Sequence, residues 1–125
     1  MADVLLIDDM NLVRGAIKAI LTRAGHAVTE ATGGEAGISL LQQQRFDVVV
    51  TDMIMPGQDG ADVMTFLHGM SERPRILAIS GGSSDVSADE ALRLAREQAD
   101  AAMPKPFDNR ELVATVDKLI GGAHA

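Results

Sequence analysis

Asp8, Asp9 and Asp52 are carboxylates, Ser80 is a hydroxyl followed by two glycines, and Lys105 is an ammonium ahead of a proline. If a fold gathers them, the set suits phosphoryl transfer to a carboxylate, in which the protein's part is mainly positioning and charge stabilisation. Three clustered carboxylates repel one another unless a cation joins them. Mg2+ fits, because it takes oxygen ligands, keeps several waters and is held by one or two carboxylates plus a phosphate. Ca2+ asks for more protein oxygens than this sequence offers. Lys105 would then pair with a phosphoryl oxygen, and Ser80 would donate a hydrogen bond to one. Singly, each residue has a plainer reading: an Asp-Asp pair is commonly a turn and helix cap, a serine before two glycines is a loop residue, and one lysine is ordinary surface. Only the combination carries information.

The elements that must gather these residues are legible as strand-helix units. Val4-Leu5-Leu6-Ile7, an unbroken apolar run ending in Asp8-Asp9, has the pattern of a strand buried on both faces. Leu12, Val13, Ala16, Ile17, Ile20 and Leu21 form one helical stripe, closed by Gly25 as a C-cap. Residues 27–31 read as a short second strand, and Gly33-Gly34 opens a helix through Leu40-Leu41 that Gly37 weakens. Residues 46–51, rich in β-branched side chains, make a third strand ending at Asp52 before the turn Met55-Pro56-Gly57. Val63, Phe66, Leu67 and Met70 give a third helix, and residues 75–80 a fourth strand. After the loop Gly81-Gly82-Ser83-Ser84, the spacing of Ser87 and Glu90 matches a capping box and starts a fourth helix. Residues 100–103 are a short fifth strand that Pro104 confines to an edge. The fifth helix starts at Asp108 and buries Leu112, Val113, Val116, Leu119 and Ile120.

Strict alternation predicts an α/β fold, a doubly wound five-stranded parallel sheet with helices on both faces, since parallel neighbours need crossover connections. All strand ends then share one rim. Asp8 and Asp9 follow the first strand, Asp52 ends the third, Ser80 ends the fourth and Lys105 follows the fifth. Ligands of open α/β sheets bind at that rim.

Composition narrows the alternatives. With 125 residues, 46% of them hydrophobic, the chain reads as one domain, residues 1–125, with no output domain. The absence of cysteine excludes disulfides and thiolate chemistry. The longest apolar runs are too short for a membrane span and the start lacks a signal peptide's basic residues, so a cytoplasmic protein is expected. A net charge of −7, from 18 acidic and 11 scattered basic residues, argues against nucleic acid as a partner. With neither Trp nor Tyr there is little on which bases could stack. His26, His68 and His124 have no ligand spacing, and the methionines read as core filler, with Met53 and Met55 near the site.

Along nearly its whole length the sequence resembles the receiver domain of two-component response regulators, the CheY-like family. The resemblance rests on Leu5-Leu6-Ile7-Asp8-Asp9, Val50-Thr51-Asp52-Met53-Ile54-Met55-Pro56-Gly57, Ile79-Ser80-Gly81 and Lys105-Pro106-Phe107. It implies a flavodoxin-like sheet of order 2-1-3-4-5 and Mg2+ as cofactor. It implies Asp52 as phosphoacceptor, Asp8 and Asp9 as further metal ligands, and Ile54 lending its backbone carbonyl to the metal. Ser80 would bond a phosphoryl oxygen, Gly81 keep access open and Lys105 pair with the phosphoryl group, across a cis Lys105-Pro106 bond. The implied activity is self-catalysed phosphotransfer and autodephosphorylation rather than turnover of a substrate. Implied partners are a sensor histidine kinase or histidine phosphotransfer protein, and a downstream protein on the fourth helix, fifth strand and fifth helix.

Two departures stand out. Many receivers carry an aromatic residue three positions before the lysine, where this chain has Ala102. Ile54 and Gly82 replace polar residues that in some relatives position the hydrolytic water. Among rivals, a haloacid-dehalogenase-like phosphatase needs Asp-x-Asp on the first strand, and two residues after Asp8 stands Met10. A phosphate-independent interaction module leaves the full set of acids, hydroxyl and ammonium without a purpose. A relay intermediate, passing phosphate to a histidine phosphotransfer domain, fits the same residues as an output protein.

Overall fold

Alternate residues of a strand point to opposite faces, so a strand covered on both sides must be apolar throughout. In the computed structural model, which describes residues 2–52, 60–80, 97–104 and 107–122, β1 (Asp3–Ile7) and β3 (Val48–Asp52) meet that demand. Residues 4–7 and the whole of β3 are buried. Together with β2 (Ala27–Ala31), β4 (Arg75–Ser80) and β5 (Ala101–Pro104) they form an all-parallel sheet of order β2-β1-β3-β4-β5, the doubly wound α/β order expected. Leu5, Ile7, Val49, Ile76 and Ala78 enter one core, under α2 (Gly34–Gln43) and α3 (Gly60–His68). Val4, Leu6, Val48, Val50, Leu77 and Ile79 enter the other, with Ile17 and Leu21 of α1 (Asn11–Arg23) and Leu112 and Val116 of α4 (Asn109–Gly122).

Several elements differ in detail from the sequence reading. The buried face of α1 is narrower than the stripe: Ile17 and Leu21 are buried and Val13 and Ile20 partly so, but Leu12 is 89% exposed and Ala16 faces solvent. Leu12 and Ala16, one turn apart, lie along the edge of the stripe farthest from Ile17 and Leu21, and that edge turns to solvent. In α3 the fully buried methionine is Met64, whereas Phe66 is only partly covered. The expected C-cap at Gly25 is a Schellman motif: Gly25 has φ 95°, its N–H donates to the Thr22 carbonyl and that of His26 to the Leu21 carbonyl. Asp108 caps α4 by accepting the Arg110 N–H at 2.8 Å. The Met55-Pro56-Gly57 turn, the loop at 81–84, the fourth helix from Ser87 and the Lys105-Pro106 bond lie outside the described residues.

Gly37, read from the sequence as a weak point of α2, is a contact. It is buried, and a Cβ there would stand 2.9 Å from Ile7 Cγ1 and closer still to Cδ1, in a core where Ile7 is fully enclosed. Glycine lets α2 lie against β1. Gly15 of α1, by contrast, is exposed and a Cβ there would meet nothing within 4 Å.

The amino ends of the strands are tied by paired polar groups. Asp47 accepts the Asp3 N–H at 2.8 Å, and His26, 7% exposed, accepts the Ala2 N–H at Nδ1 while its Nε2 meets Asp117 at 3.0 Å. Asp100 accepts the Ile76 N–H at 2.7 Å and pairs with Arg73 at 3.0 Å and Arg75 at 3.7 Å. Burial alone would raise the pKa of Asp100. The Arg73 hydrogen bond, the Ile76 amide and the two arginine charges outweigh it and hold the carboxyl below its ordinary value.

Two outcomes follow from this packing. Gly15→Ala should stabilise the protein by about 0.5–1 kcal/mol through helix propensity, while Gly37→Ala should destabilise it by roughly 1 kcal/mol because overpacking exceeds that gain. Urea unfolding of both variants checks the opposite signs. A depressed folded pKa means that the Asp100 clamp stabilises above the ordinary aspartate range and ceases to do so as pH falls through the folded value. The advantage of the native protein over Asp100→Asn, measured by urea unfolding, should therefore be about 1 kcal/mol near neutrality and shrink as pH falls below the ordinary aspartate range.

Candidate functional site

β2 lies on one side of β1 and β3 on the other, so the chain's winding reverses between β1 and β3. The carboxyl ends of such a pair open the crevice where open α/β sheets take ligands. Asp8 and Asp9 leave β1 at this point and Asp52 is the last residue of β3, and the pairing of Ile7 with Thr51 sets the two strand ends level. One carboxylate oxygen from each of Asp8, Asp9 and Asp52 lies within 4.8 Å of the others. Asp8 is 1% and Asp52 4% exposed, while Asp9 faces solvent.

Local bonds hold the Asp8 carboxylate and the Asp52 backbone. The Asp8 N–H donates to the Ala31 carbonyl at 3.1 Å, and Asp8 Oδ1 accepts the Met10 N–H at 2.8 Å, a local turn bond of the kind aspartate favours. The Thr51 hydroxyl donates to the Asp52 carbonyl at 3.1 Å. Two unit charges 4.8 Å apart repel by roughly 3 kcal/mol at an effective dielectric of about 20. A single hydrogen bond returns about 1 kcal/mol, so bonding of that kind does not cancel the repulsion. A divalent cation does. Three hard oxygens, two of them desolvated and one open to water, suit Mg2+ with part of its hydration shell retained.

Of the residues singled out in the sequence, the structure brings Asp8, Asp9 and Asp52 together. Ser80 ends β4 one position beyond the Asp52–Ile79 pair, on the same rim, and pairs with Pro104. Its side chain, like the whole of Ile54, Gly81, Gly82 and Lys105, lies outside the described residues. Ala102, half-buried, sits opposite Ala78 in the ladder. Sequence reasoning missed Arg14, whose Nη1 donates to the Asp8 carbonyl at 2.9 Å. Its place one helical turn into α1 from the acidic pair was the available signal. A cleft of about 510 Å3 lies at the other end of the sheet, lined in part by Leu41, Phe46, Met70 and Arg75. Of its charged lining, Arg45 and Glu72 pair with each other at 2.6 Å, and Arg73 and Arg75 are held by Asp100.

Fold and rim together define a doubly wound α/β protein whose acidic, metal-competent cluster sits where its winding reverses. The sequence pattern of the response regulator receiver domain matches residues 4–117, and the chain belongs to that family of two-component signalling domains. It is 35% identical to transcriptional regulatory protein AfsQ1 of Streptomyces coelicolor over 96% of this chain and 52% of that protein, so it spans about half the length of that relative. It is 30% identical to protein PilH of Pseudomonas aeruginosa, over 98% of this chain and 100% of that one. The crystal structure of a CheY-like receiver domain protein from Methanospirillum hungatei superposes with a TM-score of 0.80 at 27% identity, covering 98% of this chain and 96% of the other. Among the described residues no helix is long and apolar enough to cross a membrane.

Removing one of the three charges should relieve the repulsion. In a metal-free buffer with chelator, Asp9→Asn and Asp52→Asn should each raise Tm by roughly 4 °C, corresponding to about 1 kcal/mol for a domain of this size. Millimolar Mg2+ should stabilise the native protein and stabilise Asp9→Asn less, as thermal unfolding followed by circular dichroism will register.

Proposed function

We propose that this chain is a phosphoacceptor receiver that takes a phosphoryl group on Asp52 in a Mg2+-dependent reaction and presents a changed surface to a protein partner. The observation that carries the reading is the buried Asp52 at the end of β3, with Asp8 and Asp9 carboxylates within 4.8 Å, in a chain of the receiver family. Asp8, Asp9 and Asp52, with the Ile54 carbonyl, would hold Mg2+, which when bound supplies positive charge against the transferring phosphoryl oxygens. An Asp52 carboxylate oxygen attacks phosphorus in line, forming a P–O bond as the P–N bond of a phosphohistidine breaks. The electron pair leaves with the imidazole, which takes a proton. The Ser80 hydroxyl and Lys105 ammonium bind phosphoryl oxygens and stabilise their charge. Attack of water on phosphorus later restores the carboxylate and releases inorganic phosphate.

The donor is a sensor histidine kinase or histidine phosphotransfer protein, and the site of action is cytoplasmic. Because Ala102 has no ring to rotate, the change travels through Ser80 and the segment at 81–86 toward the predicted fourth helix, β5 and α4, where a downstream protein docks. The differential affinity that shifts the equilibrium is the pair of interactions made only when phosphate is present.

Acetyl phosphate with Mg2+ should add one phosphoryl group, measured by intact mass, and Asp52→Asn should remove the signal. Labelling at the native level in Asp52→Asn overturns the assignment. Steady turnover of a phosphomonoester that survives Asp52→Asn would instead identify a phosphatase.

A further inference from the structure

The turn that carries Asp8 and Asp9 runs into a helix whose start lacks the usual fastening. α1 begins at Asn11 with Met10 as its N-cap, and Met10 offers no side-chain capping bond, nor is there an acidic residue in the first turn. Helix starts are ordinarily secured by such a cap, worth about 1 kcal/mol. Here an arginine from one turn further along the helix reaches back. Arg14 Nη1 donates to the Asp8 carbonyl at 2.9 Å, Nη2 to Asn11 Oδ1 at 2.8 Å, and Nε to Glu30 Oε1 of β2 at 3.2 Å. Its side chain is only 13% exposed. The planar guanidinium thus ties three separate pieces, the carbonyl of a metal-binding residue, the helix start and the neighbouring strand, in a geometry that a single ammonium does not reproduce.

The geometry points to Arg14, anchored by Glu30, as a positioning residue that fixes the Asp8–Met10 turn and thereby sets the divalent-cation affinity of the rim. The inference rests on the Mg2+ reading of Asp8 and Asp9 given above. Two effects of Arg14 on that site have opposite signs, which makes the inference testable. As a positive charge beside three carboxylates, Arg14 opposes cation binding, so its removal on electrostatic grounds alone tightens Mg2+. As a clamp it holds the ligands in place, so its removal loosens Mg2+, and losses of about tenfold are usual when a partner that orients a metal ligand is removed. Lys18 separates the two effects. It pairs with the same Glu30 at 3.2 Å, but none of the bonds described for it reaches the turn, so Lys18→Met removes a charge from this neighbourhood without removing the clamp.

The test is a Mg2+ titration followed by amide chemical shifts on the native protein, Arg14→Met, Arg14→Lys, Lys18→Met and Asp8→Asn. Methionine keeps the apolar stem of Arg14 and lysine keeps its charge, so a folding defect in one variant leaves the other informative. Arg14→Met and Arg14→Lys should each bind Mg2+ about tenfold more weakly, while Lys18→Met binds as tightly as the native protein or slightly more so. Without metal, exchange of the Met10 amide, which donates to Asp8 Oδ1 at 2.8 Å, should quicken in both Arg14 variants and stay unchanged in Lys18→Met. Native or tighter affinity in both Arg14 variants, with Asp8→Asn weakened, overturns the clamp and spares the metal site. Unaltered affinity in Asp8→Asn overturns the metal-site reading itself, and the clamp with it.

Discussion

Mutual repulsion between carboxylates held nearly out of water is the constraint around which this structure is organised. Asp8 and Asp52 are almost fully covered at the ends of adjacent parallel strands, and Asp9 lies beside them. A flexible chain would relieve that repulsion by moving the groups apart. Here β1 and β3 sit at the centre of a sheet packed on both faces, and neither strand can shift without opening two cores at once. The alternation that sends Leu5 and Ile7 one way and Val4 and Leu6 the other therefore does more than exclude water. It fixes the distance over which the charges must coexist.

The two ends of the sheet divide the labour. At the amino ends the acids are partnered: Asp47 takes a backbone N–H, and Asp100 takes another together with two arginines, so the Asp100 clamp adds stability near neutral pH. At the carboxyl ends the acids are concentrated, and their repulsion is a cost that a bound cation would offset. Close packing supports the same rim from behind. Gly37 lets α2 lie against Ile7, the residue immediately before Asp8, so the wall of one core is also the floor of the site.

Much of this was legible in the sequence because a parallel sheet fixes which end of each strand is which. Once residues 4–7 and 46–51 read as strands, Asp8, Asp9 and Asp52 had to fall on one rim, and the structure places them there. Strand order was not legible in the pattern, since alternation of strands and helices does not say which strands are neighbours; it came from the family resemblance. Periodicity likewise shows which residues of α1 share a face but not how much of that face the core covers, which is why Leu12 and Ala16 were counted in the stripe although they lie on its exposed edge. Gly37 was read through propensity, which describes the helix alone, whereas its role depends on Ile7, 30 positions away. Arg14 was passed over because its place one helical turn from the acidic pair was the sole cue: two of its partners, the Asp8 carbonyl and Glu30, lie on a turn and on β2, and only the fold brings them within reach.

Position 102 shows how the same backbone constrains signalling. A switch needs an element with two discrete arrangements, and alanine has no side-chain torsion with which to provide one. Ala102 faces Ala78 across the β4–β5 ladder, so both sides of this contact are methyl groups. What links the rim to the edge strand is the ladder itself: Asp52 pairs with Ile79, Ile79 with Met103, and Ser80 with Pro104. A displacement at the end of β3 thus has a continuous hydrogen-bonded route through β4 to β5. Along these three strands any second arrangement must be one of backbone position and helix packing rather than of a side-chain rotamer at position 102.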